Sequence, residues 1–83
     1  MPTNVIIVGG GKVGSYLAAT LSRHDCRVQL IEIRPDEAAR LQAELGHPNL
    51  HVWSGSGTDP SVLESAGIRQ AAVIAAVTGD DEV

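Results

Sequence analysis

Residues 5–21 read VIIVGGGKVGSYLAATL, and the change of pattern inside that stretch constrains the fold more than any other feature. Asn4–Val8 is a short β-branched run with apolar residues at consecutive positions, the pattern of a strand buried on both faces. Three glycines stop it. From Lys12 onward the period becomes helical, because Val13, Leu17 and Leu21 recur four apart and share one helix face. The chain's one lysine stands inside this glycine turn, between Gly11 and Gly14.

The same alternation continues to the end. Arg27–Ile33 (RVQLIEI) is the second strand. Pro35 suits a first helical position, and Asp36 and Glu37 complement the positive end of the helix dipole. Ala38, Leu41 and Leu45 form the inner stripe of this helix, Gly46 its C-cap, and Pro48 blocks continuation. Leu50–Trp53 is the third strand. Asp59 then caps a helix that has Pro60 in its first turn and Gly67 as terminator. Ala71–Val77 is the fourth strand, apolar on both sides.

The order β-α-β-α-β-α-β with both-face-apolar strands implies an α/β fold: a three-layer parallel sheet with right-handed crossovers. With the first strand central, the spatial order is 3-2-1-4, one half of a doubly wound Rossmann-like fold. One feature does not close. The fourth strand lies at an edge yet reads as interior, whereas edges are normally short, charged or covered. The following TGDDEV reads as the start of another helix, capped by Thr78 or Asp80. Residues 1–83 are therefore expected to form one Rossmann-type domain, incomplete after its fourth strand, whose open edge is covered by further chain or by a partner.

Composition narrows the class. With 43% apolar residues and only Tyr16 and Trp53 as aromatics, the core must be aliphatic. A net charge of −4 opposes nucleic acid as the main partner, since backbone phosphates attract basic surfaces. The single cysteine, Cys26, excludes an internal disulfide and suits a reducing compartment. No signal-like leader and no long apolar run occur, so a cytoplasmic protein without membrane insertion is expected.

Gly9, Gly11 and Gly14 fit the spacing G-x-G-x-x-G. Gly9 permits a tight turn out of the strand, Gly11 admits a pyrophosphate close to the backbone, and Gly14 lets helix and strand pack closely. The helix beginning there aims its free N–H groups and dipole at the same point. Glu32 follows about 20 residues later at the end of the second strand, where a carboxylate can accept from both ribose hydroxyls. Glu32 disfavours a 2′-phosphate, which makes NADP the minor case, while Arg34 flanks the adenine or reaches a phosphate. Lys12 would act over bound phosphates as a mobile point charge. Gly10 and Val13 within the turn, and Ile33 beside Glu32, complete this set of candidate contacts.

Three segments, IIVGGGKVGSYLAATL, QLIEI and GSGTDPSVLESAGIRQAAVIAAVTGDDEV, resemble the N-terminal nucleotide-binding domain of regulators of potassium conductance. That family includes the Trk/Ktr-type potassium-uptake regulatory subunits. The resemblance spans essentially the whole chain, and its last third is its most specific part. It implies a cytosolic gating domain that binds NAD or NADH, or ATP, ADP or AMP. Such domains pair into dimers or higher oligomers and act on a potassium channel or transporter subunit, which would hold this one at the inner membrane. By the family pattern Gly9, Gly11 and Gly14 hold the phosphates and Glu32 the adenosine ribose. Gly55, Ser56, Gly57 and Thr58 lie near the adenine, and Thr78 and Gly79 line the crevice near the distal ribose or terminal phosphate. Ser56 stands where the family usually has aspartate, and Gly57 where it often has alanine.

Other residues carry less. His24, His47 and His51 show no metal-ligand spacing with one another or with Cys26, which reads as a small apolar filler. Asp80, Asp81 and Glu82 read as a solvated helix start, and Trp53 as a packing residue. No nucleophile–base–acid set is visible, so a regulatory module rather than an enzyme is expected. The alternative is the cofactor-binding half of an NAD-dependent oxidoreductase, since a fold does not by itself determine function.

Overall fold

The computed structural model describes residues 3–77. Four parallel strands, β1 (Thr3–Val8), β2 (Cys26–Glu32), β3 (Leu50–Ser54) and β4 (Val73–Ala76), form one sheet in the order β3-β2-β1-β4. Helices α1 (Lys12–Ser22), α2 (Pro35–Leu45) and α3 (Pro60–Ser65) connect them, with a 3₁₀ turn at Ile68–Gln70 before β4. The expected α/β architecture and the 3-2-1-4 order are both present. Thr78, Gly79 and the expected capping and acidic residues Asp80, Asp81 and Glu82 lie outside the described residues.

Alternation along the central strands supplies both layers of core. Val5 and Ile7 of β1, with Val28 and Leu30 of β2, pack with Ala18 of α1 and with Ala38 and Leu41 of α2. Ile6 and Ile31 point the other way, onto Ala66, Val62, Leu63 and Ile68. Helices on both faces explain why these strands read as continuous apolar runs. Complete burial of Ile6, Ile7, Leu30 and Val28 stabilises the sheet by roughly 1.5–3 kcal/mol per side chain. Trp53 packs in the second layer and donates its indole N–H to Gln29 Oε1 at 2.6 Å.

The helix ends follow their punctuation. Pro35 occupies the first turn of α2, and Gly46 ends it in the left-handed conformation at φ 35°. Asp59 caps α3 by accepting from the Ser61 N–H at 2.9 Å, and Gly67 follows at φ 86°. Gln42 of α2 accepts the Val52 N–H at 2.9 Å, so a side chain occupies part of the free edge of β3.

Two details differ from expectation. On α1 the buried positions are Gly14, Ala18 and Ser22, while Leu17 and Leu21 are only partly buried and Val13 is 61% exposed. The physical reason is proximity. A Cβ at Gly14 would stand 1.9 Å from the Gly9 carbonyl oxygen, so the nearest face of the helix is a stripe of small residues and the leucines flank it. Ser22 satisfies its buried hydroxyl by donating to the Ala19 carbonyl at 2.9 Å. In β4, Val73 and Ile74 are both 51% exposed, because pairing with β1 covers only one side of this edge strand.

Gly14→Ala should therefore be far more damaging than its size suggests. The obstructing atom is main chain and cannot rotate away, so the first turn of α1 must move off the glycine turn, at a cost of about 3 kcal/mol. Thermal melts should show a fall of more than about 12 °C. The exposed control Ala39→Gly should cost only about 1 kcal/mol.

Candidate functional site

Strand order reverses at β1, with β2 on one side and β4 on the other. In open parallel sheets such a reversal splays the following connections apart and leaves a crevice beyond the carboxyl ends of the strands. Here that crevice is a cleft of about 520 Å³, within the usual range for small-molecule sites. Gly9, Gly10 and Gly11 form one wall and Glu32, Ile33 and Arg34 another. Gly55 and Gly57 border it after β3, and Val8, Ile31, Ala76 and Val77 complete the lining at the strand ends.

The glycine turn is built by close approach. Gly9 adopts φ 109° and donates its N–H to the Ile31 carbonyl at 2.8 Å, which pins the turn to the end of β2. Gly10 is buried, and a Cβ there would lie 2.7 Å from both Glu32 Oε1 and Leu41 Cδ1. The chain then enters α1 with Gly11 at the N-cap. That position supplies no side-chain cap, and the first turn contains no acid. Among the described residues, the N–H groups of Lys12, Val13 and Gly14 have no protein acceptor. By contrast α2 carries Asp36 and Glu37 in its first turn, and α3 has Asp59. The start of α1 is thus uncompensated positive potential beside the cleft, equivalent to about half a charge.

Glu32 faces that positive end from the end of β2. Its side chain is 3% exposed and accepts three hydrogen bonds. Oε1 accepts the Gly10 N–H at 2.9 Å, and Oε2 accepts both the Arg34 N–H and the Arg34 Nε–H, each at 2.9 Å. Burial by itself would raise the carboxyl. The bonds from the Arg34 side chain, the Arg34 main chain and the Gly10 N–H outweigh it and hold the group below its ordinary value of 4.5. Glu32 is therefore a carboxylate at neutral pH.

Of the residues singled out in the sequence, Gly9, Gly10, Gly11, Glu32, Ile33, Arg34, Gly55 and Gly57 come together around the cleft. Lys12, Val13, Ser56 and Thr58 do not line it, and Lys12 is exposed at the first position of α1. Gly14 lies behind the turn in the packing role described above. Ser56 and Thr58 bond to each other through their hydroxyls at 2.8 Å. Gly57 presses on β1, where a Cβ would come within 2.3 Å of Val8 Cγ1. Reading the strands only as core missed Val8, Ile31, Ala76 and Val77, although their position at the carboxyl ends beside the order reversal was a usable signal. Among the described residues no group of three His, Cys, Asp or Glu gathers to hold a metal ion, and no helix is long and apolar enough to cross a membrane.

Comparison with known proteins places this geometry. The family model of the TrkA-N domain matches residues 5–83. The Trk system potassium uptake protein TrkA of Haemophilus influenzae is 37% identical over 79 residues, covering 95% of this chain and 17% of that protein. A TrkA homolog of Methanothermobacter thermautotrophicus is 42% identical over 78 residues, covering 94% of this chain and 35% of that protein. The corresponding protein of Streptomyces coelicolor is 35% identical over 78 residues, covering 94% and 34%. The chain therefore spans 17 to 35% of the length of these relatives. Their names describe potassium uptake and no catalytic activity.

The Glu32 contacts give a pH test. Because its folded-state carboxyl lies below the ordinary value, its contribution is present above about pH 4.5 and is lost as pH falls through the lower folded value. Glu32→Gln puts an amide donor where two main-chain donors and a guanidinium need acceptors. At pH 7 urea denaturation should show a loss of about 1–3 kcal/mol. The gap between the two proteins should narrow below about pH 4.5, and because other carboxylates titrate in both, that difference isolates Glu32.

Proposed function

This chain belongs to the TrkA-N domain family, and from that premise we propose that it is a nucleotide-binding regulatory domain that controls potassium uptake through an associated transporter subunit. The ligand is NAD or NADH, or an adenine nucleotide such as ATP, ADP or AMP, with NADP the minor case. One observation carries the reading. Among the described α-helices the start of α1 is the one N-terminus that has neither a capping side chain nor an acid in its first turn, and it opens on a 520 Å³ cleft with a buried carboxylate across it. An anion at the helix end and hydroxyls at the carboxylate together describe a phosphorylated ribonucleoside.

In this reading residues 1–83 are a Rossmann-type nucleotide-binding domain. The N–H groups of Lys12, Val13 and Gly14 and the bare turn Gly9–Gly11 receive the phosphates. Glu32 takes the adenosine ribose, with Ile33 and Arg34 beside it, and the loop Gly55–Thr58 borders the base. Thr78 and Gly79 serve the far end of the ligand. Lys12, exposed at the helix start, moves over the phosphates only when they are bound. The bound nucleotide supplies no chemistry. Its occupancy biases a conformational equilibrium of the larger assembly, which forms dimers or higher oligomers on the cytoplasmic side of the membrane. Such bias requires unequal affinity for two states, since equal binding shifts nothing.

Thermal melts with NAD, NADH, NADPH, ATP and ADP test the reading directly. A ligand present at a hundred times its dissociation constant adds about 2.7 kcal/mol of stability, so at least one of the five should raise the melting temperature by about 10 °C. No shift with any of them at millimolar concentration rules the reading out.

A further inference from the structure

The coordination of Glu32 carries more than a ribose acceptor. An ionised carboxylate offers about four lone-pair positions. Three are filled by the protein: one on Oε1 by the Gly10 N–H, and both on Oε2 by the Arg34 N–H and the Arg34 Nε–H. Two of these donors are main chain and belong to the glycine turn and the start of α2. Neither can leave without moving the walls of the cleft. The third sits on a side chain that is 61% exposed, and Arg34 itself lines the cleft.

A ribose with both hydroxyls free presents two donors to an acceptor that has one position left. We propose that Arg34 is an internal competitor for the ribose, so that both hydroxyls seat on Glu32 only when Arg34 Nε is displaced. This rests on the nucleotide reading given above. Displacement exchanges one charge-assisted hydrogen bond for another. The released guanidinium returns to water beside Asp36 and Glu37, the acids of the first turn of α2. The second hydroxyl therefore adds little net affinity in this protein, although its bond to a carboxylate is a strong one. Arg34 makes the site tolerant of a ribose that lacks one hydroxyl, where a bare glutamate would reject it.

Calorimetric titration of ADP, 2′-deoxy-ADP and 3′-deoxy-ADP into the unaltered chain, Arg34→Ala and Arg34→Met separates the cases. Both substitutions retain the Arg34 main-chain N–H, and methionine keeps an aliphatic stem. For the unaltered chain the two deoxy analogues should bind within about threefold of ADP. In both variants ADP should bind about tenfold more tightly, and each analogue should fall about tenfold behind it. Discrimination above about tenfold by the unaltered chain overturns the competition, without reference to either variant. Variants that weaken all three ligands equally, or change none, overturn it too, the former because Arg34 then serves phosphate or base. If the unaltered chain binds none of the three at millimolar concentration, the nucleotide reading falls and takes the competition with it.

Discussion

One carboxylate joins the three segments on which the cleft depends. Glu32 ends β2, holds the second glycine of the turn after β1 and secures Arg34, the N-cap residue of α2. Burying an ion is unfavourable by several kcal/mol unless its lone pairs are met. Here two main-chain donors and one guanidinium meet them. The turn can lie close over β2 because Gly10 has no side chain to collide with that carboxylate. Were the acid absent, a buried N–H would be left without an acceptor and the two walls of the cleft would be untied.

The contrast among the helix ends shows where the molecule leaves charge unbalanced. Asp36 and Glu37 compensate the start of α2, and Asp59 that of α3. The start of α1 has only Gly11, and the carboxylate nearest to the turn has its charge committed to Gly10 and Arg34. Positive potential beside a concave surface favours an anionic occupant, and the main-chain donors are already oriented before it arrives. Main-chain donors of this kind are held in place by the fold itself. The Glu32 side of the cleft differs, because there the Arg34 side chain already occupies an acceptor.

Much of this was legible in the residues themselves. Proline, glycine and aspartate punctuation located α2 and α3, and the apolar runs located the strands, because those signals are local. The glycine spacing and Glu32 marked the two sides of the cleft for the same reason. Three features were not legible. Val13 looked like part of an inner stripe, but close approach to the Gly9 carbonyl selects small residues over large apolar ones at the nearest face. Val73 and Ile74 read as interior by hydropathy while the strand order set them at an edge, and the residues alone did not say which would prevail. The bond between Arg34 and Glu32 depends on how the chain bends as β2 ends, which no residue pattern encodes.

The contact behind Gly14 has a consequence for how such a domain can diverge. The first turn of α1 is seated against the glycine turn by main chain meeting main chain, Gly14 against the Gly9 carbonyl, so the direction in which its first amides point depends less on which aliphatic residues fill the layers below. Substitutions among valine, isoleucine and leucine would then alter resistance to unfolding while leaving the orientation of those donors nearly untouched. A lineage carrying this turn can exchange most of its interior yet keep the same electrostatic aim.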